Sequence, residues 1–210
     1  MSEVVLYDFW RSSAAYRVRI ALKLKGIAYR AEPVDLSSGE QRGAAFKAHN
    51  PLGLVPVLAI DGAQISQSLA IMDYLDSLAP APRLLPAEPL ARAGVLAQAM
   101  TIISEIHPLQ NLRVANYLRE QMGQDSAAVT AWWQHWIGEG LGVLEAQAPS
   151  VGFFGGDEPN LVDVCLVPQM YSARRFHVET SAYPRLMAID TALCALPGFA
   201  AAAPEAVKPQ

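Results

Sequence analysis

Along the first eighty residues the spacing of apolar positions alternates between the strand period and the helix period. Residues 3–8 place Val4, Val5, Leu6 and Tyr7 between polar neighbours, the pattern of a short buried strand. Ser12 and Ser13 then stand where a helix cap belongs. In the following AAYRVRIALKLKG, Val18, Ala21 and Leu22 fall on one helical face and Gly26 is the expected stop. Residues 28–34 read as a second strand, and 41–48 as a short helix ended by Asn50-Pro51. Residues 55–60 and 63–65 flank Asp61-Gly62, a strong hairpin signal. Ser66, Gln67 and Ser68 precede LAIMDYLDSLA, a second capped helix. The order is therefore β-α-β-α-β-β-α. Two strands flanking a helix should be parallel and the hairpin antiparallel, which predicts a four-stranded mixed sheet with helices.

A proline-rich stretch containing Pro80, Pro82, Pro86 and Pro89 marks a boundary. It divides the chain into a mixed α/β domain over residues 1–80, a linker over 81–89 and an all-helical domain over 90–210. In the last of these, 90–117 (broken near Pro108), 125–147, 160–176 and 184–196 are helical by composition and period. Asn160 with Asp163 is a variant of the capping box. Residues 152–156 read as a loop, and the last ten or so residues, rich in Ala and Pro, as a tail draped on the surface or frayed.

Composition narrows the function classes. Of 210 residues 52% are apolar and 17% charged, which excludes a disordered or fibrous chain. A net charge of −4 argues against a nucleic-acid partner. That charge is uneven, +1 over residues 1–83 and −5 over 84–210, so Arg113, Arg174 and Arg175 stand out in the acidic part. Two cysteines and four histidines, no two histidines at i,i+4 spacing, argue against a metal site and a disulfide framework and suit a reducing compartment. The start shows no signal peptide and no stretch is long and apolar enough for a membrane span, so the expectation is a globular cytoplasmic protein.

Several residues could carry chemistry, each with a plain structural alternative. Ser12 and Ser13 lie at a strand-to-helix junction, where backbone N–H groups and the helix dipole favour anions and thiolates. On spacing alone they are helix caps. Gln67 and Ser68 open another helix and read either as a cap or as a carboxylate receptor. Pro56 leads into a strand and cannot donate to its ladder, so it is either an edge proline or a cis bond. His107 reads as a structural histidine, and the arginines as surface ion-pair partners. Trp132, Trp133 and Trp136 read as packing, and Cys165 as a small buried hydrophobe.

RSSAAYRVRIAL resembles the Ser-Ser-Cys-x-Trp-Arg-Val-Arg-Ile-Ala-Leu signature of zeta-class glutathione transferases, a family that includes maleylacetoacetate isomerase. The similarity runs on through NPLGLVPVL, IDGAQISQSLAIMDYL, PRLLP, HPLQNLRV, VDVCLVPQ and ARRFHVE, covering essentially the whole chain in order. It implies a thioredoxin-like N-terminal domain, a helical C-terminal domain, glutathione bound between them, and a homodimer. It implies that Ser12 or Ser13 hydrogen-bonds the glutathione sulfur and that Val55, before a cis Pro56, pairs with the glutathione backbone. It further implies that Gln67 and Ser68 hold the γ-glutamyl end, while Gln41, His107 and Asn111 line the same site. The implied activity is glutathione-dependent cis–trans isomerisation of a keto-diacid, maleylacetoacetate or the related maleylpyruvate. Arg11, Arg113 and Arg175 are the candidates for its carboxylates and Arg174 the alternate. Permanent conjugation of glutathione to small electrophiles such as α-haloacids is the competing activity. Ala14 stands where the signature has cysteine, so the nucleophile must belong to the cofactor. Tyr16 replaces the signature tryptophan, and bacterial maleylpyruvate isomerases, similar in sequence, also lack the cysteine.

Overall fold

The computed structural model describes residues 3–209. The chain forms two compact units, one made of residues 1–83 with 195–210 and the other of residues 84–194.

In the first unit, β1 (Val5–Asp8) leads into α1 (Ser13–Leu24), and β2 (Arg30–Pro33) returns parallel to β1 with Val5 opposite Arg30. A single 3-10 turn, Glu40–Arg42, and the short α2 (Ala44–Lys47) stand where one short helix was expected, with Gly43 between them. β3 (Val57–Ile60) pairs antiparallel with β1 and with β4 (Ala63–Ser66), before α3 (Ser68–Leu78). The hairpin turn has Asp61 at φ 48° and Gly62 at φ 78°, a primed turn that suits the strand twist. Strand order is β2-β1-β3-β4, the expected four-stranded mixed sheet. The ends of β1, β2 and β4 and the start of β3 therefore share one end of the sheet, and four loops leave from it.

α1 packs against α3, and Leu6, Val18, Leu22, Leu58, Ile71 and Leu75 are fully buried. Each such side chain contributes roughly 1.5–3 kcal/mol. The sequence pattern marks one apolar face on α1, but every residue from Ala15 to Leu22 is buried, Arg17 and Arg19 included. The reason lies at the far end of the chain, described below.

The second unit is helical: α4 (Pro89–Met100), α5 (Leu112–Glu120), α6 (Ser126–Gln147), α7 (Leu161–Arg175) and α8 (Pro184–Cys194). Between α4 and α5 the expected break near Pro108 begins earlier, as a π-helical turn over Thr101–Ile106. Its Ile106 lies on the backbone of α6 at Gly140, where a Cβ would fall 2.2 Å from Ile106 Cγ1. α7 opens on the anticipated capping box. Asn160 accepts from Val162 and Asp163 N–H, and Asp163 Oδ2 accepts from Asn160 N–H.

The last ten or so residues, expected as a draped or frayed tail, instead contain α10 (Pro204–Val207), preceded by the equally short α9 (Pro197–Ala200), both part of the first unit. Phe199 and Ala202 are fully buried and α9 packs on α1. Gly198 lies so near Leu24 that an added Cβ would sit 3.2 Å from Leu24 Cδ2. This packing covers the second side of α1. No helix among the described residues is long and apolar enough to cross a membrane.

Candidate active site

The loops leaving the common end of the sheet carry eight of the residues singled out from the sequence. Ser12 is the N-cap of α1, and its Oγ accepts from Ala15 N–H at 3.3 Å. The expected cap is thus real, and because it uses an acceptor lone pair the hydroxyl proton remains to be donated elsewhere. Ser13 is the first residue of α1, with its carbonyl accepting from Arg17 Nε at 3.4 Å. Arg11, beside them, has its guanidinium carbon 4.9 Å from the Trp10 ring centre, and its buried Nε has no hydrogen-bond partner.

After β2, Gln41 is buried within the 3-10 turn and its Oε1 likewise has no partner. A buried amide oxygen without a donor costs free energy unless a ligand supplies one. The backbone of Gln41 also fixes the next loop. Gly53 adopts φ 64°, and a Cβ there would lie 2.7 Å from the Gln41 carbonyl oxygen, so only glycine fits. Asn50, buried, donates from Nδ2 to Leu54 O at 2.7 Å and accepts from Leu52 N–H at 3.1 Å. This shapes the approach to Val55 and Pro56. Of the two readings left open by the sequence, the structure has the cis one: the Val55–Pro56 peptide is cis.

At the end of β4, Gln67 is exposed with φ 69° and ψ 116°, a conformation rarely adopted by a residue with a Cβ. It starts α3 without any side-chain cap, and Ser68 behind it is buried. Positions of this kind persist where surrounding structure holds them and cluster at ligand sites.

The remaining candidates lie in the second unit. His107 follows the π-helical turn, its N–H bonded to Ile102 O at 2.9 Å. Asn111 caps α5, accepting from Arg113 N–H at 3.0 Å, and Arg113 is exposed in the first turn of that helix. Arg175, exposed, ends α7 with its guanidinium carbon 4.7 Å from the Phe176 ring centre. Arg174, the alternate, is committed to Asp190 at 2.5 Å. α6 brings these segments together. Trp132 Nε1 donates to Leu109 O at 2.8 Å, and Trp133 stacks on Phe176 with ring centres 4.2 Å apart. Gln110 and Gln169, both buried, exchange two amide hydrogen bonds at 3.1 and 3.0 Å, which ties the His107–Asn111 stretch to α7. The tryptophans read as packing thus also align the arginine-bearing ends. Cys165 is the expected buried residue.

Two buried carboxylates support this arrangement. Asp8 lies against Arg19, and burial raises its carboxyl above the usual range despite that cation. Asp163 accepts from the N–H groups of Phe154, Gly155 and Asn160 at 3.0, 3.0 and 2.9 Å. Burial pushes it up to about 6 against those bonds. Among the described residues no group of three or more His, Cys, Asp or Glu could hold a metal.

Residues 11–78 match the glutathione S-transferase N-terminal domain family. The chain is 47% identical over 211 residues to maleylacetoacetate isomerase of Rhizobium meliloti (strain 1021), covering 99% of each. A solved holo structure of maleylpyruvate isomerase, described as a zeta-class bacterial glutathione S-transferase, superposes with a TM-score of 0.94 at 43% identity, over 97% of this chain and 98% of that one. This chain belongs to the zeta-class glutathione transferases. A further relative, maleylacetoacetate isomerase of Methylobacterium extorquens AM1 solved with malonate and glutathione bound, is 38% identical with a TM-score of 0.92, covering 96% and 97%. The fold is accordingly that of a glutathione transferase, a thioredoxin-like sheet domain and a helical domain.

As a zeta-class chain it carries Ala14, half-buried in the first turn of α1, at the signature cysteine. Sequence reasoning missed the residues that hold the site rather than form it: Asn50, Asp8 with Arg19, and the Gln110–Gln169 pair. Arg17 and Arg19 inside RVRIAL were the available signal, since two cations within an apolar helix must find partners if that helix is buried.

Proposed function

We propose that this protein is a glutathione-dependent cis–trans isomerase that converts maleylacetoacetate to fumarylacetoacetate. One observation carries the reading. Two buried polar atoms without partners, the acceptor Gln41 Oε1 and the donor Arg11 Nε, lie on loops leaving the sheet end that also bears Ser12, the cis Val55–Pro56 bond and the uncapped start of α3. Such a set asks for a ligand with both peptide-like and anionic groups, and it fits glutathione and a carboxylate substrate.

Ser12, Ser13, Gln41, Val55, Pro56, Gln67, Ser68, His107 and Asn111 would hold glutathione. When bound, glutathione supplies the thiolate that adds reversibly to the cis double bond, so that the bond can rotate. The protein's part is to make that thiolate available. A free thiol has a pKa of about 8.5. The start of α1 offers its dipole, about 0.3–1 kcal/mol, and a serine O–H offers a charge-assisted hydrogen bond of about 1.5–3 kcal/mol. Together these lower the thiol pKa by about one to three units, enough for a large ionised fraction near neutrality. Arg11, Arg113 and Arg175 would bind the substrate carboxylates and stabilise the charge that develops on the carbonyl oxygen. Arg174, committed to Asp190, is left out of that set. The working unit is taken as a homodimer in the cytoplasm.

A side-by-side assay of maleylacetoacetate and maleylpyruvate, with and without glutathione, tests the reading. Isomerisation with no net glutathione consumption is expected, faster with maleylacetoacetate and lowered by Ser12→Ala or Ser13→Ala. Turnover without glutathione, or full activity in both serine variants, would overturn it.

A further inference from the structure

Arg19 is fully buried in the middle of α1, and its guanidinium binds three separate stretches of chain. Nη1 donates to both oxygens of Asp8 at 2.8 Å, Nη2 to Trp10 O at 2.9 Å, and Nε to Ala202 O at 3.0 Å. One planar group thus joins the end of β1, the loop that follows it and the stretch between α9 and α10. The rigid fork of an arginine suits this, whereas the single nitrogen of a lysine could not span the same acceptors. The loop so anchored presents the Trp10 ring. Arg11 lies 4.9 Å from the centre of that ring and Lys208, beyond α10, lies 5.2 Å from it. Arg11 is also 5.9 Å from the centre of the Phe9 ring, and its Nε is buried and without a partner.

We infer that Trp10 is a positioning residue for Arg11, held in place through Arg19 and the C-terminal segment, so that α9 and α10 form part of the frame of the anion site. A flexible arginine loses rotamer freedom when it captures a carboxylate, and a stacked guanidinium has lost part of it beforehand. Aromatic stacking also orients the plane of the fork. Lys208, near the same ring, places a second positive charge beside it. This inference rests on the reading that Arg11 takes a substrate carboxylate.

The test compares Trp10→Ala, Trp10→Phe and Arg11→Gln by steady-state kinetics with maleylacetoacetate and glutathione varied separately. Trp10→Ala should raise KM for the diacid about tenfold, lower kcat by a smaller factor and leave the glutathione KM within about twofold of the parent, and Trp10→Phe should restore most of the loss. Arg11→Gln should raise the same KM further. If Arg11→Gln leaves the diacid KM unchanged, the substrate reading of Arg11 fails. If Arg11→Gln raises it and Trp10→Ala does not, the positioning role fails alone. An equal rise in both KM values for Trp10→Ala means that the loop has collapsed, which also overturns the inference. Should Trp10→Ala not fold, Trp10→Leu keeps the apolar volume without the stacking and is expected to show the same split.

Discussion

The starts of α3 and α7 solve the same problem in opposite ways. Each helix leaves its first N–H groups without intrahelical partners. At α7 each has a partner: Leu161 N–H donates to Leu84 O, Val162 and Asp163 N–H to Asn160 Oδ1 and Val164 N–H to Asn160 O, while the Asp163 carboxylate accepts from Phe154, Gly155 and Asn160 N–H in the preceding segment. At α3 no side chain caps the helix, and the residue at its start, Gln67, sits at positive φ. Of these two ends the capped one belongs to the scaffold and the uncapped one to the proposed glutathione site, where Ser12 nevertheless caps α1. The contrast separates scaffold from site more clearly than burial does, since Ser68 and Asp163 are both buried.

The largest expected effect is on the closed end. Asp163→Ala leaves three N–H groups unpaired and should cost about 4 kcal/mol of unfolding free energy by chemical denaturation, since each orphaned buried donor costs about 1–3 kcal/mol. Its folded fraction should retain the parent KM for glutathione. A substantial change in that KM would erase the distinction between the two ends. The same residue sets a pH dependence. Its folded carboxyl titrates at about 6 against 3.8 ordinarily, so as pH falls the folded state takes up the proton first. The folded protein gains from this group as pH drops from about 6 to 4 and loses the gain as pH rises through 6. The stability difference between the parent and Asp163→Asn should therefore widen by up to about 3 kcal/mol from pH 7 to pH 4. At the open end the effects are smaller and of opposite sign. Gln67→Gly relieves the positive φ and should raise stability by about 1 kcal/mol while weakening glutathione binding roughly tenfold. A variant that lost both stability and binding would show that Gln67 is a structural cap after all.

Much of this was legible in the sequence because the signals are local. Asp61-Gly62, the Asn160–Asp163 box and the Ser12 cap each depend on residues within four positions of one another, and the structure has each of them. The unforeseen features depend on distance. Arg19 meets Ala202 across 183 positions, and Gln110 meets Gln169 across 59, so no periodicity could pair them. The burial of Arg19 goes with the packing of α9 on α1, over a face that the pattern leaves to solvent. The π-helical turn ends on Ile106, which seats on Gly140, a contact between helices. Lys25, buried against Asp76 and Pro82 O, is a further pair that only the fold assembles.

The carbonyl of Ala202 also has a consequence in time. The sheet, α1 and α3 emerge early during translation, but the acceptor that completes the Arg19 fork, Ala202 O, is made 124 residues after Leu78 at the end of α3. At roughly 5–20 residues per second, several seconds or more pass in which the nascent domain holds the Arg19 cation short of one acceptor and a hydrophobic flank of α1 uncovered. A chain stalled short of Phe199 would therefore expose to chaperones and proteases the surface that the finished protein hides.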